Sequence, residues 1–212
     1  MKYGDLPKEV GIIEATTNEM FFYQDMPIKM AGRDLVKTEP RLDFLREIII
    51  RSVNDFVIEF GEAQYRKSYI YLCAKNLWQN KGVSYNRMGY HSDGFMSDDI
   101  NYVWSDKDGT VFNNSDFIIT KDDILSLYEM NSQALPEREI VYSDKTLLRL
   151  NQYNIHKVSD VNESGVRLFV KITFSKDKFD LIGNSHNYEF DYNWEMKPRN
   201  ISRNIPQSIK SN

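Results

Sequence analysis

Arg167-Leu168-Phe169-Val170-Lys171-Ile172-Thr173-Phe174 alternates long polar or small groups with large apolar ones. A period of two sustained over eight residues is that of a β-strand with two unlike faces. Its start is set by Ser159-Asp160-Val161-Asn162-Glu163-Ser164-Gly165, a run rich in turn formers. Working outward, Leu147-Leu148-Arg149-Leu150, Ile100-Asn101-Tyr102-Val103-Trp104 and Ser68-Tyr69-Ile70-Tyr71-Leu72 are also β-prone. A long helix is predicted ahead of them. Thr38 can cap it, Pro40 suits its first turn and Gly61 can end it. Between these, Leu42, Leu45, Ile49, Val53, Phe56 and Phe60 recur every three or four residues as one apolar face. Thr120-Lys121-Asp122-Asp123 announces a second, shorter helix that continues through Ile124, Leu125, Leu127 and Tyr128 to about Ala134. Strands without βαβ alternation predict a mainly β fold with flanking helices (α+β): helix first, then an antiparallel sandwich or barrel with the long helix packed on one side.

Composition narrows the function classes. The 212 residues include 41% hydrophobic and 13% aromatic side chains, enough for one packed core and too many for intrinsic disorder. Twenty-seven Lys and Arg face 31 Asp and Glu, and a net charge of −4 disfavours a broad footprint on duplex DNA. No apolar run approaches the roughly 18–20 residues of a membrane span, and Met1-Lys2-Tyr3-Gly4-Asp5-Leu6-Pro7 does not open a secretory signal. A single cysteine, Cys73, permits no intrachain disulfide and suits a reducing compartment, so a cytoplasmic protein without a membrane partner is expected. Cys73 lies in an apolar strand and reads as buried and inert. Residues 1–196 read as one domain. Residues 197–212 hold Lys197, Arg199, Arg203 and Lys210 and no acid, which describes a basic, solvated tail.

The chain has three histidines, at positions 91, 156 and 186. In an extended Tyr90-His91-Ser92-Asp93-Gly94, residues two apart face the same side, so His91 and Asp93 would present an imidazole and a carboxylate to one point. His156 follows just after the strand at 147–150, and Arg167 opens the strongest strand. Two histidines and a carboxylate form the facial set that suits non-haem Fe(II), and an Arg nearby can bind a carboxylate in bidentate fashion. His186 with Arg199 is the weaker pairing, because Arg199 follows Pro198 and no strand is evident there. GxxxxGK[ST], GxGxxG, CxxC and GxSxG motifs are absent.

His91-x-Asp93, His156 and Arg167 together resemble the HxD…H…R signature of the Fe(II)/2-oxoglutarate-dependent dioxygenases. The resemblance spans roughly residues 80–175 in order and spacing. It implies a double-stranded β-helix (jelly roll) in which His91, Asp93 and His156 hold iron as the catalytic centre. It further implies that Arg167 binds the distal carboxylate of 2-oxoglutarate, with dioxygen as co-reactant. Tyr85, Tyr102 and Trp104, on flanking strands, would meet the cosubstrate. The primary substrate stays open. Tyr188, Phe190, Tyr192 and Trp194 could stack a nucleobase, which with the basic tail suggests a nucleotide or nucleic acid. Their period of two reads more simply as the buried face of a final strand, and a small molecule fits equally. A binding module with a degenerate metal site, and a zinc centre, are the alternatives.

Overall fold

A computed structural model describes residues 2–83 and 88–199. In chain order its elements are β1 (Lys8–Ile12), β2 (Phe21–Lys29), α1 (Arg46–Phe60), α2 (Glu62–Lys67), β3 (Tyr69–Gln79), β4 (Ile100–Ser105), β5 (Val111–Asn113), α3 (Leu125–Gln133), β6 (Glu139–Val141), β7 (Thr146–Leu150), β8 (His156–Lys157) and β9 (Gly165–Ser175). They form two antiparallel sheets, one of six strands in the order β1-β7-β4-β9-β3-β2 and one of three in the order β6-β5-β8. The fold is mainly β with few helices, as the patterning predicts.

The alternating stretch lies in β9, between β3 and β4 in the larger sheet. It pairs with β3 along eleven positions, from Tyr69 opposite Ser175 to Gln79 opposite Gly165. Its two faces meet different surroundings. Leu168, Val170, Ile172 and Phe174 join Ile70, Leu72, Tyr102, Trp104 and Leu147 in the main core, under Ile48, Ile49 and Phe56 of α1. Phe56 stacks on Phe174 with ring centroids 4.1 Å apart. Burying an aromatic side chain in such a core contributes roughly 2–3 kcal/mol. On the opposite face Phe169, Val103, Leu148 and Leu150 meet Phe112 of β5 in a second cluster between the sheets.

Three local expectations are corrected. Thr38 does not cap the long helix: Pro40–Leu45 form a 3-10 turn after Glu39, and α1 begins at Arg46. Three residues per turn bring Leu42 and Leu45 to the same buried side. Gly61, at φ +83°, ends α1, its N–H bonded to Val57 O. Two strands precede the helix. β2 carries Pro27 and a positive φ at Asp25, with its register shifting between Tyr23 and Met26 and between Pro27 and Lys29. Such breaks are tolerated at a sheet edge, and they also erase the strand pattern. The aromatic run at 188–194 is not a strand. Among the described residues no strand pairs with it, and Tyr188 is 90% exposed. Lys197, by contrast, is tied down through backbone bonds with Asp180 and Ile182. The rest of the basic tail, from residue 200, lies outside the described residues.

The connection between α2 and β3 is fixed by a buried cation. Lys29 is fully buried, and its Nζ donates to the carbonyls of Ser68 at 2.8 Å and Tyr65 at 2.9 Å. Burial lowers this ammonium to about 8, with Arg66 adding to the shift and Asp34 opposing it. Between pH 8 and 10.5 the unfolded chain therefore holds a proton that the folded chain has released. Stability rises with pH wherever the unfolded state binds more protons. In urea titrations, wild type should gain on Lys29→Met by about 1 kcal/mol per pH unit between pH 8 and 10. Parallel pH profiles would contradict the shift.

Candidate metal centre

His91 is positioned by the residues before it. Asn131 of α3 accepts from Tyr90 N at 2.8 Å and donates to Tyr90 O at 3.0 Å. Gly89, at φ +82°, packs against this amide, and an added Cβ would stand 2.7 Å from Asn131 Oδ1. Only glycine fits there. His91 then forms an antiparallel bridge with His156 at the start of β8, each backbone N–H donating to the other carbonyl at 2.9 Å. This extends the smaller sheet by one position beyond β8. The bridge sets the two imidazoles side by side, with ring centroids 4.6 Å apart.

The side chains of His91, Asp93 and His156 each offer one ligand atom, and these atoms lie within 4.8 Å of one another. His156 Nε2 stands 3.9 Å from Asp93 Oδ2, less than two metal–ligand bonds of about 2.1 Å. Both ring orientations are set by backbone carbonyls: His91 Nδ1 faces Gly89 O at 3.0 Å, and His156 Nδ1 faces Asn154 O at 2.9 Å. A carbonyl can only accept, so Nδ1 carries the proton and Nε2 becomes the lone-pair nitrogen of each ring. Burial lowers the His156 imidazole against the pull of Asp93, which favours this neutral, ligating form. In donor type, tautomer and spacing, the three residues fit one divalent cation.

The carboxylate already has a cationic partner. Lys171, on the inter-sheet face of β9, approaches Asp93 Oδ2 with its Nζ at 3.2 Å. Burial alone would push the Asp93 carboxyl up, but Lys171, His156 and His91 outweigh it and hold it well below the usual carboxylate range. Burial likewise opposes the charge on Lys171, and Asp93, Asp25 and Cys73 outweigh it, so the ammonium is raised. One row along, Asn101 accepts from Thr173 Oγ1 at 2.7 Å. Its buried Nδ2 has no partner among the described residues.

The other expected site residues lie apart. Arg167 is buried on the inter-sheet face of β9, two inward positions from Lys171, and donates to Lys107 O at 2.9 Å and Asp108 O at 2.8 Å. Tyr102 and Trp104 do not face the triad. They are the even members of β4, turned into the main core, where Tyr102 donates to Asp55 of α1 and Trp104 donates to Ile13 O and Lys145 O. Tyr85 lies outside the described residues. His186 stacks on Tyr192 at 4.4 Å in a separate aromatic group. A cavity of about 810 Å³ sits against α1, lined by Phe60, Arg149, Tyr153 and Lys176 among others, and the triad does not line it. Sequence patterning passed over Lys171 and Asn101. The inward parity they share with Arg167 and Val103 was the signal available. Cys73 is buried, and burial pushes its thiol up. No protein-family model matches this chain, and no curated protein matches it in sequence.

Removing Asp93 takes from the Lys171 ammonium the carboxylate it donates to. Asp93→Asn should cost about 2 kcal/mol in chemical denaturation without added metal, because it breaks from one side an ion pair whose two side chains are each only 23% exposed. Asp98→Asn, which breaks the exposed pair with Lys176, should cost under about 1 kcal/mol. Equal losses would contradict the partial burial of the Asp93 pair.

Proposed function

We propose that the chain is a non-haem Fe(II)- and 2-oxoglutarate-dependent oxygenase of the hydroxylase type, built on a jelly roll. The observation that carries this reading is the convergence of His91, Asp93 and His156, with both histidines oriented by carbonyls on Nδ1. The strand pairing supports the jelly roll. From β3 to β9 the outermost strands pair with each other, as do His91 with β8, β4 with β7 and β5 with β6. A nested series of this kind is a long antiparallel ribbon folded onto itself, with β9 against β4 and β8 against β5 closing the wrap.

In this reading His91 Nε2, a carboxylate oxygen of Asp93 and His156 Nε2 would hold the iron. Iron with 2-oxoglutarate and dioxygen would supply oxidation of a substrate C–H bond. The chain contributes position and charge. Gly89 and Asn154 lock the two ligand rings through their carbonyls. Arg167, on the inward face of β9, gives the space between the sheets a cation for a carboxylate of the cosubstrate. Asn101 Nδ2 offers a donor to an acceptor-bearing ligand.

The Lys171–Asp93 contact favours a second reading, a metal-free binding module in which the ammonium takes the charge role of a metal. Anaerobic addition of Fe(II) and then 2-oxoglutarate separates the two. The oxygenase predicts a weak visible charge-transfer band that is lost in Asp93→Ala. It also predicts that Arg167→Ala needs at least tenfold more 2-oxoglutarate to produce the band while retaining iron. A folded wild type that develops no band would leave the module.

A further inference from the structure

Asp93 Oδ2 has two claimants. It is the carboxylate oxygen recorded opposite His156 Nε2, at 3.9 Å, and it accepts from Lys171 Nζ at 3.2 Å. A divalent ion shared by Asp93 and His156 and an ammonium on the same oxygen would be neighbouring cations, and repulsion between them acts through a poorly screened interior. We propose that Lys171 is an internal competitor for the metal position, so that loading the centre exchanges an ammonium for a divalent cation on Asp93. The inference rests on the metal-binding reading above and adds to it a residue that sets how tightly the centre holds its ion.

The surroundings give the displaced ammonium somewhere to go. Lys171 is paired across the sheet with Cys73, one strand in from β2. Asp25 lies in the irregular part of β2 between Tyr23, opposite Ala74, and Met26, opposite Leu72. That irregularity, with φ +44° at Asp25, sets a second carboxylate beside Cys73 and within electrostatic reach of Lys171. Lys171 donates to Asp93 Oδ2 at 3.2 Å. With metal bound, Asp25 is a carboxylate still within electrostatic reach of the ammonium, and Asp99, also coupled to Lys171, is a second. Lys171 is therefore a positioning residue, and it acts on the metal through Asp93.

Manganese(II) binding, followed by loss of the electron paramagnetic resonance signal of the free aqua ion, tests this without turnover. Lys171→Met should bind Mn(II) at least tenfold more tightly than wild type, and Lys171→Arg should stay within about threefold of it. A lysine with a merely structural role would give the opposite order, because losing it would loosen the site. Asp25→Asn should weaken Mn(II) binding in wild type and leave Lys171→Met unchanged, which measures the coupling directly. If Lys171→Met does not fold, Lys171→Gln and the Asp25→Asn comparison in wild type carry the test. Mn(II) bound equally or less tightly by the folded Lys171 variant would overturn the exchange while leaving the metal centre standing. Absence of binding in wild type and variants alike would overturn the exchange together with the metal reading.

Discussion

β9 has to satisfy two environments at once, and the rest of the structure is arranged around that constraint. Its even residues complete the main core under α1, and its odd residues face the space between the sheets. A one-residue slip against β3 would drive Lys171 and Arg167 into the helix-covered core and turn Ile172 and Phe174 toward the inter-sheet space. Register is therefore held by hydrophobic burial on one side and by charge pairing on the other. Phe174 against Phe56 and Lys171 against Asp93 are opposite ends of the same constraint.

The interior between the sheets is unusual in carrying charge. Arg167 is buried there and Lys171 and Asp93 are partly buried, while Phe112, Val103 and Leu148 supply the apolar packing. Buried charges persist when they are paired and hydrogen-bonded, and they are costly otherwise. Arg167 meets backbone carbonyls of the connection between β4 and β5, whereas Lys171 meets the carboxylate of the triad. The two cations thus differ in kind. Arg167 is held in place by carbonyls, and Lys171 is poised on an oxygen that a metal would use.

Much of this was legible beforehand for physical reasons. His91 and Asp93 share a face because they are two apart, and β9 announced itself by unbroken alternation. Other features depend on partners that a pattern does not contain. Lys171 in a strand reads as a solvated lysine until the smaller sheet is known to cover that face. Tyr102 and Trp104 look suited to a ligand pocket, but α1 covers their side of β4, and only the sheet order reveals it. β2 was hidden by Pro27 and its register shifts, and the aromatic run at 188–194 alternates although no strand among the described residues pairs with it. Register and neighbours, more than periodicity, decide which face of a strand becomes a site.

The most direct measurement is anomalous diffraction at the iron edge from crystals grown anaerobically with Fe(II). The account predicts one peak, about 2.1 Å from His91 Nε2, His156 Nε2 and an Asp93 carboxylate oxygen, with the Lys171 ammonium withdrawn from that oxygen. No peak at these residues, with Lys171 still on Asp93, would contradict it.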